Sequence, residues 1–162
     1  MSKSLEIKTA LQISKPTQEV FEAIVNPEIM KNYFISKGSG RMEEGKTIMW
    51  SFPEFEGEFP IVVEKISQNR FISFYWGDKE DDIDTAGSKK LLVEITLDNY
   101  NNDTVVIVTE KGMENNEKGI SWLKGNTEGW ANFLACLKAW QEYSVQLRKG
   151  AFNFRFDSNY EY

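Results

Sequence analysis

The chain has 162 residues, 41% hydrophobic and 27% charged, which is enough for one folded core and too polar for a membrane span. Nineteen basic against 25 acidic residues give a net charge of −6, so neither nucleic acid nor an anionic membrane is expected as a partner. The absence of histidine removes Ser-His-Asp and Cys-His catalysis and His-ligated metal, while the single Cys136 excludes an internal disulfide or a cysteine metal cluster.

Residues 1–10 carry no apolar signal core, and with one cysteine the expected location is the reducing cytoplasm. Leu5, Ile7, Thr9, Leu11 and Ile13 alternate with more polar residues, the period of a half-buried strand. Pro16 then opens a helix bearing Val20, Phe21 and Ile24 on one face. Asn26-Pro27 starts a second short helix, with Asn26 as its cap and Met30, Tyr33 and Phe34 on its inner side. From residue 38 the pattern is β. Ile48, Trp50 and Phe52 alternate, residues 58–67 form an extended run with Pro60 expected at an edge or bulge, and Ile72, Phe74 and Trp76 alternate again. Leu91 to Leu97 and Val105 to Thr109 follow on either side of an Asn-rich turn. From about Thr127 to Arg148 the period becomes helical, through Trp130, Phe133, Leu134, Leu137 and Trp140, with Gly150 as the stop.

The predicted fold is α+β: a curved antiparallel sheet of six or seven strands gripping a long C-terminal helix, with two short helices after the first strand. Residues 1–150 form one domain and residues 151–162 an aromatic tail. Phe152, Phe154 and Phe156 in that tail alternate with polar residues and predict a short strand, docked on the chain's own sheet or pairing with a second copy as a homodimer.

This order of elements resembles the START-like (helix-grip, SRPBCC) superfamily, and within it the homologues of the activator of the heat-shock protein ATPase. The residues that carry the resemblance are Lys15 to Ile24, Asn26-Pro27-Glu28, the Glu64–Trp76 hairpin, Asp103 to Glu110, and Gly129-Trp130 leading into Leu134, Leu137 and Lys138. It covers roughly residues 4–150. Tyr33-Phe34 stands where that group often has Trp. The resemblance implies a cleft between sheet and helix that holds lipophilic or aromatic molecules.

Three motifs invite other chemistry. Gly40 to Thr47 satisfies the P-loop pattern G-x-x-x-x-G-K-T, but a strand rather than a helix follows it, and Glu43 and Glu44 would repel phosphate; a β-turn is the better reading. The acidic run Asp78, Glu80, Asp81, Asp82 and Asp84 fails as a calcium loop, because Ala86 and Val93 fall where ligands belong, and reads as a solvated loop. Cys136, inside the helix, reads as a packing residue, and the Asn102 sequon carries no weight without a secretory route.

The aromatic residues, 14% of the chain, are the most informative set. Trp50, Phe52, Phe74 and Trp76 from the strands and Trp130, Phe133, Leu137 and Trp140 from the helix are the expected ligand-binding residues, lining an apolar pocket. For any one ring taken alone, ordinary core is the plainer reading, and the pocket rests on the set. Arg41, Glu64, Arg70, Glu94 and Glu110 could orient a ligand, although Glu94 and Glu110 are expected on the solvent face of their strands; Tyr33, Tyr75 and Tyr143 could donate to one. No acid/base couple stands out and no cofactor or metal is called for, so the expected function is binding of a small hydrophobic molecule. The alternatives are a co-chaperone that stimulates a heat-shock ATPase, which the resemblance implies by name alone, and a cyclase/aromatase-type enzyme working without histidine.

Overall fold

The computed structural model describes residues 4–77 and 91–162. Strand β1 (Ser4–Ile13) is followed by helices α1 (Thr17–Val25) and α2 (Pro27–Met30). Six strands come next: β2 (Lys37–Gly38), β3 (Thr47–Ser51), β4 (Phe59–Ser67), β5 (Phe71–Trp76), β6 (Leu91–Tyr100) and β7 (Asp103–Glu114). Helix α3 (Glu117–Tyr143) and a short 3-10 helix (Asn153–Phe156) complete the chain. The seven strands form one antiparallel sheet in the order β1-β7-β6-β5-β4-β3-β2. The fold class is therefore the one the sequence predicts.

Local chemistry places these elements. Asn26 caps α2 by accepting from the Glu28 backbone N–H at 3.0 Å. Asn101 and Asn102, both at positive φ (49° and 69°), make the tight turn between β6 and β7 that twisted hairpins favour. Pro60 pairs with Met49 on the β3 side, whereas the β4–β5 register begins only at Val62, so its missing N–H breaks no ladder. The bulge in β4 lies a little further on, between Val63 and Lys65. The Gly40–Thr47 segment is a loop and turn leading into β3, with Gly45 at φ +82°, and no helix follows to receive a phosphate.

The inner face of the sheet is mostly apolar: Ile61, Val63, Ile72, Phe74, Val93, Ile95, Leu97, Val106 and Val108 are all buried. Leu134, Leu137 and Cys136 of α3 close the same core, and burial pushes the Cys136 thiol pKa up, as befits a packing residue. Helix α3 packs most closely on β1 and secondarily on β7, standing off from the β3–β5 side of the sheet.

Two expectations need correction. Helix α3 begins ten residues before Thr127 and stops at Tyr143. Asn116 caps it by accepting from Gly119 N–H at 2.8 Å, and Ser144, in the left-handed region, ends it. Its first half shows no continuous apolar stripe because Gly125 and Gly129 border open space rather than packed core, so the period is hidden there. The second correction concerns the tail. Phe152, Phe154 and Phe156 do not form a strand; the chain turns at Gly150 (φ +75°) into the 3-10 helix, Arg155 lies over Phe152 at 4.3 Å, and Phe154 packs on Tyr160 and Tyr162. Phe156 stays exposed. The acidic run at residues 78–84 lies outside the described residues.

Candidate functional site

The stand-off between α3 and the β3–β5 half of the sheet leaves a cavity of about 600 Å³, within the range of small-molecule sites. Its helix wall runs from Lys118 to Phe133, about 22 Å of α3. Gly125 and Gly129 lie on that wall, and a Cβ built at either would meet nothing within 4 Å. Glycine in a helix interior costs about 0.8–1 kcal/mol relative to alanine. Here two of them, one turn apart, keep the helix wall bare.

The remaining walls are rings. Phe34 sits at the centre, with ring centroids 4.8 Å from Phe133, 5.2 Å from Phe52, 5.8 Å from Trp50 and 6.0 Å from Trp130. Trp76 and Trp130 face each other at 5.4 Å across the sheet–helix boundary. Phe55 and Phe59, from the β3–β4 connection and the start of β4, extend the wall toward solvent.

Of the eight residues singled out from the sequence, Phe52, Trp76, Trp130 and Phe133 border the cavity. Trp50, Phe74 and Leu137 are buried beneath it in the core, and Trp140 packs half-buried further along the helix. Phe34, Trp122, Asn126, Arg148 and Phe152 also border it and were not singled out. The recurrence of Trp122, Asn126 and Trp130 every four residues was the available signal for the helical ones.

Below the Trp76–Trp130 pair lies Glu110, which is fully buried rather than on the solvent face. The parity of β7 is set by Thr104, Val106 and Val108, all inward, and Glu110 continues that row. Its Oε2 accepts from Trp76 Nε1 and its Oε1 from Trp130 Nε1, each at 2.8 Å. Asn126 Nδ2 donates to both oxygens at 3.1 and 3.4 Å. Burial pushes the carboxyl above the usual carboxylate range, and these donors pull it back. Glu94, by contrast, does lie on the outer face, paired with Lys111 at 3.1 Å.

The other polar candidates serve structure elsewhere. Arg41 makes a bidentate pair with Glu22 at 2.8 and 2.9 Å. Glu64 accepts from Ser73 Oγ at 2.8 Å, with Tyr75 Oη at 3.5 Å. Tyr33 is buried and donates to the Ala23 carbonyl at 2.8 Å. Arg70 and Tyr143 do not border the cavity.

At the rim, Arg148 donates to the Phe34 carbonyl and pairs with the buried Glu54. Its guanidinium lies 5.2–5.7 Å from the rings of Phe34, Phe52 and Phe152, so it carries the tail onto the cavity mouth. Among the described residues no group of three or more Asp, Glu or Cys is placed to hold a metal ion, and no helix is long and apolar enough to cross a membrane.

The family model described as "Activator of Hsp90 ATPase homolog 1-like protein" matches residues 14–158. The structure is similar to that of protein SSP2350 from Staphylococcus saprophyticus, at 33% identity and TM-score 0.72, over 89% of this chain and 96% of that one. It also resembles an Aha1 dimer from Colwellia psychrerythraea, solved in solution, at 19% identity and TM-score 0.71, over 86% and 97% of the two chains. CalU16 from Micromonospora echinospora matches at 14% identity and TM-score 0.65, over 93% of this chain and 89% of that one. The last two likenesses show the fold. No curated protein matches the chain by sequence.

Proposed function

Because the chain belongs to the family of Activator of Hsp90 ATPase homolog 1-like proteins, with the START-like helix-grip fold, we propose that it binds a small lipophilic or aromatic molecule in the cavity between sheet and α3. The single observation that carries this reading is the pair Gly125 and Gly129. They leave about 600 Å³ facing rings where leucines would have completed a core, at a cost to helix propensity. Phe52, Trp76, Trp130 and Phe133, joined by Phe34, supply the apolar contacts, while Trp50, Phe74 and Leu137 hold the wall from behind.

The test fills the space. Gly129→Leu places a side chain in the cavity without meeting a neighbour at Cβ, so the fold survives and the site closes. Titration of an apolar fluorescent probe such as anilinonaphthalene sulfonate should show saturable binding to the natural protein and at least tenfold weaker binding to Gly129→Leu. Equal binding by the two proteins places the probe elsewhere and removes the reading.

A further inference from the structure

We propose that the occupant's buried polar group is a positively charged hydrogen-bond donor, an ammonium on an aromatic or aliphatic body, and that Glu110 is the residue that selects it. This rests on the ligand-binding reading above and names the class of ligand for the same site. Trp76, Trp130 and Asn126 form the wall at mid-depth; each indole spends its single N–H on Glu110, and Asn126 spends one of its two. What they have left to offer a ligand is mostly acceptor in kind: two indole faces and the Asn126 Oδ1, beside one amide N–H. Asn126 is oriented by its neighbour, because only its NH₂ can face a carboxylate. The third indole donor at this depth, Trp122 Nε1, is buried without a hydrogen-bond partner among the described residues and also helps to hold the Glu110 carboxyl down.

Behind this wall lies a charge. Every hydrogen-bond partner of Glu110 is a donor, so the ionised form is the one the geometry fits; a neutral acid would need an acceptor for its proton. No lysine or arginine pairs with it among the described residues. A buried carboxylate whose described partners are all neutral donors leaves a negative field in the adjoining space. Among the described residues the cations that border the cavity are elsewhere: Arg148 is matched by Glu54, and Lys118 and Arg155 are exposed at the rim, where solvent screens them. An ammonium against the Trp76 and Trp130 faces and Asn126 Oδ1 supplies a countercharge that no described residue provides, whereas a carboxylate in the same place meets the like charge of Glu110.

The test is a matched set of probes with one ring system and three head groups: naphthylethylammonium, naphthylethanol and naphthylacetate, titrated calorimetrically at neutral pH. The expected order is ammonium, then alcohol, then acetate, with about tenfold between the ends. Glu110→Gln should bring the ammonium-to-acetate ratio close to one. Should that variant not fold, Asn126→Leu, which removes Oδ1, must weaken ammonium binding more than acetate binding. Equal affinities in the natural protein, or acetate binding tightest, overturn the proposal while leaving the pocket in place. Failure of all three to bind overturns the pocket reading with it.

Discussion

Trp130 Nε1 donates to Glu110 Oε1 at 2.8 Å, joining the middle of α3 to the inner face of β7 directly beneath the cavity. Trp76 reaches the other oxygen of the same carboxylate from β5, so one buried group ties together three elements that line the site. Replacing Glu110 with leucine strands two indole donors and an amide in an apolar setting. Each stranded group costs about 1–3 kcal/mol, so Glu110→Leu should lower unfolding free energy in urea by at least about 3 kcal/mol. Trp130→Phe, which strands no donor, should cost less. Equal losses would mean that ring packing, not the carboxylate, holds the junction.

Glu110 and Glu22 should move stability in opposite directions with pH. Burial raises the folded-state pKa of Glu110 above its unfolded value, so its contribution is most favourable at low pH and is lost as pH rises through the raised pKa. The Arg41 hydrogen bonds hold Glu22 below the usual range, so its contribution is present above the ordinary glutamate pKa and is lost as pH falls through the lowered one. Urea midpoints of Glu22→Gln should therefore fall further below the natural protein's at pH 7 than at pH 3. For Glu110→Gln, the part of the difference that changes with pH should run the other way. Parallel pH profiles for the two variants would show the signs to be wrong.

Gly125 and Gly129 keep space open at a cost to the helix. Alanine at either position meets no neighbour, so each of Gly125→Ala and Gly129→Ala should raise stability by about 0.5–1 kcal/mol, read as a higher melting temperature. A drop would mean that the glycines are required by backbone geometry, as Gly119 is, where an added Cβ would lie 1.9 Å from the Glu114 carbonyl oxygen.

Arg148 fastens the tail. Through the Phe34 carbonyl, Glu54 and three rings it holds the tail at the cavity mouth, where Phe152 and Arg155 border it. Arg148→Ala removes the countercharge of the buried Glu54 and should speed limited proteolysis within residues 144–162 while the sheet amides stay protected from hydrogen exchange. Unchanged cleavage would show the tail to be held by Phe152 and Phe154 instead.

Periodicity makes the sheet, the three helices and four of the nine aromatic rings that line the cavity legible in the sequence. Phe52, Trp76, Trp130 and Phe133 lie on faces that strand and helix spacing determine. What periodicity could not reach came from loops and from absences. Phe55 sits outside regular elements, where no spacing rule aims it, and Phe34, though read as inward, lies beyond the end of α2 at Met30. Trp122 and Asn126 belong to a half-helix whose wall is glycine, so the apolar stripe that marks a helix is missing where the cavity replaces the core. Glu110 falls on the wrong face when Thr109 is taken as inward; the buried row is Thr104, Val106, Val108 and Glu110, and a carboxylate can be buried when indole N–H groups satisfy it. Arg148 and Lys149 read as a helix end, yet Ser144 had already ended the helix.

The most direct test of the pocket uses the five tryptophans as reporters. In isotope-labelled protein titrated with naphthylethanol, the indole resonances of Trp76, Trp122 and Trp130, which border the cavity, should shift together and saturate. Those of Trp140, which does not border it, should stay in place. Shifts confined to Trp140, or none at any indole, would contradict a ligand site between the sheet and α3.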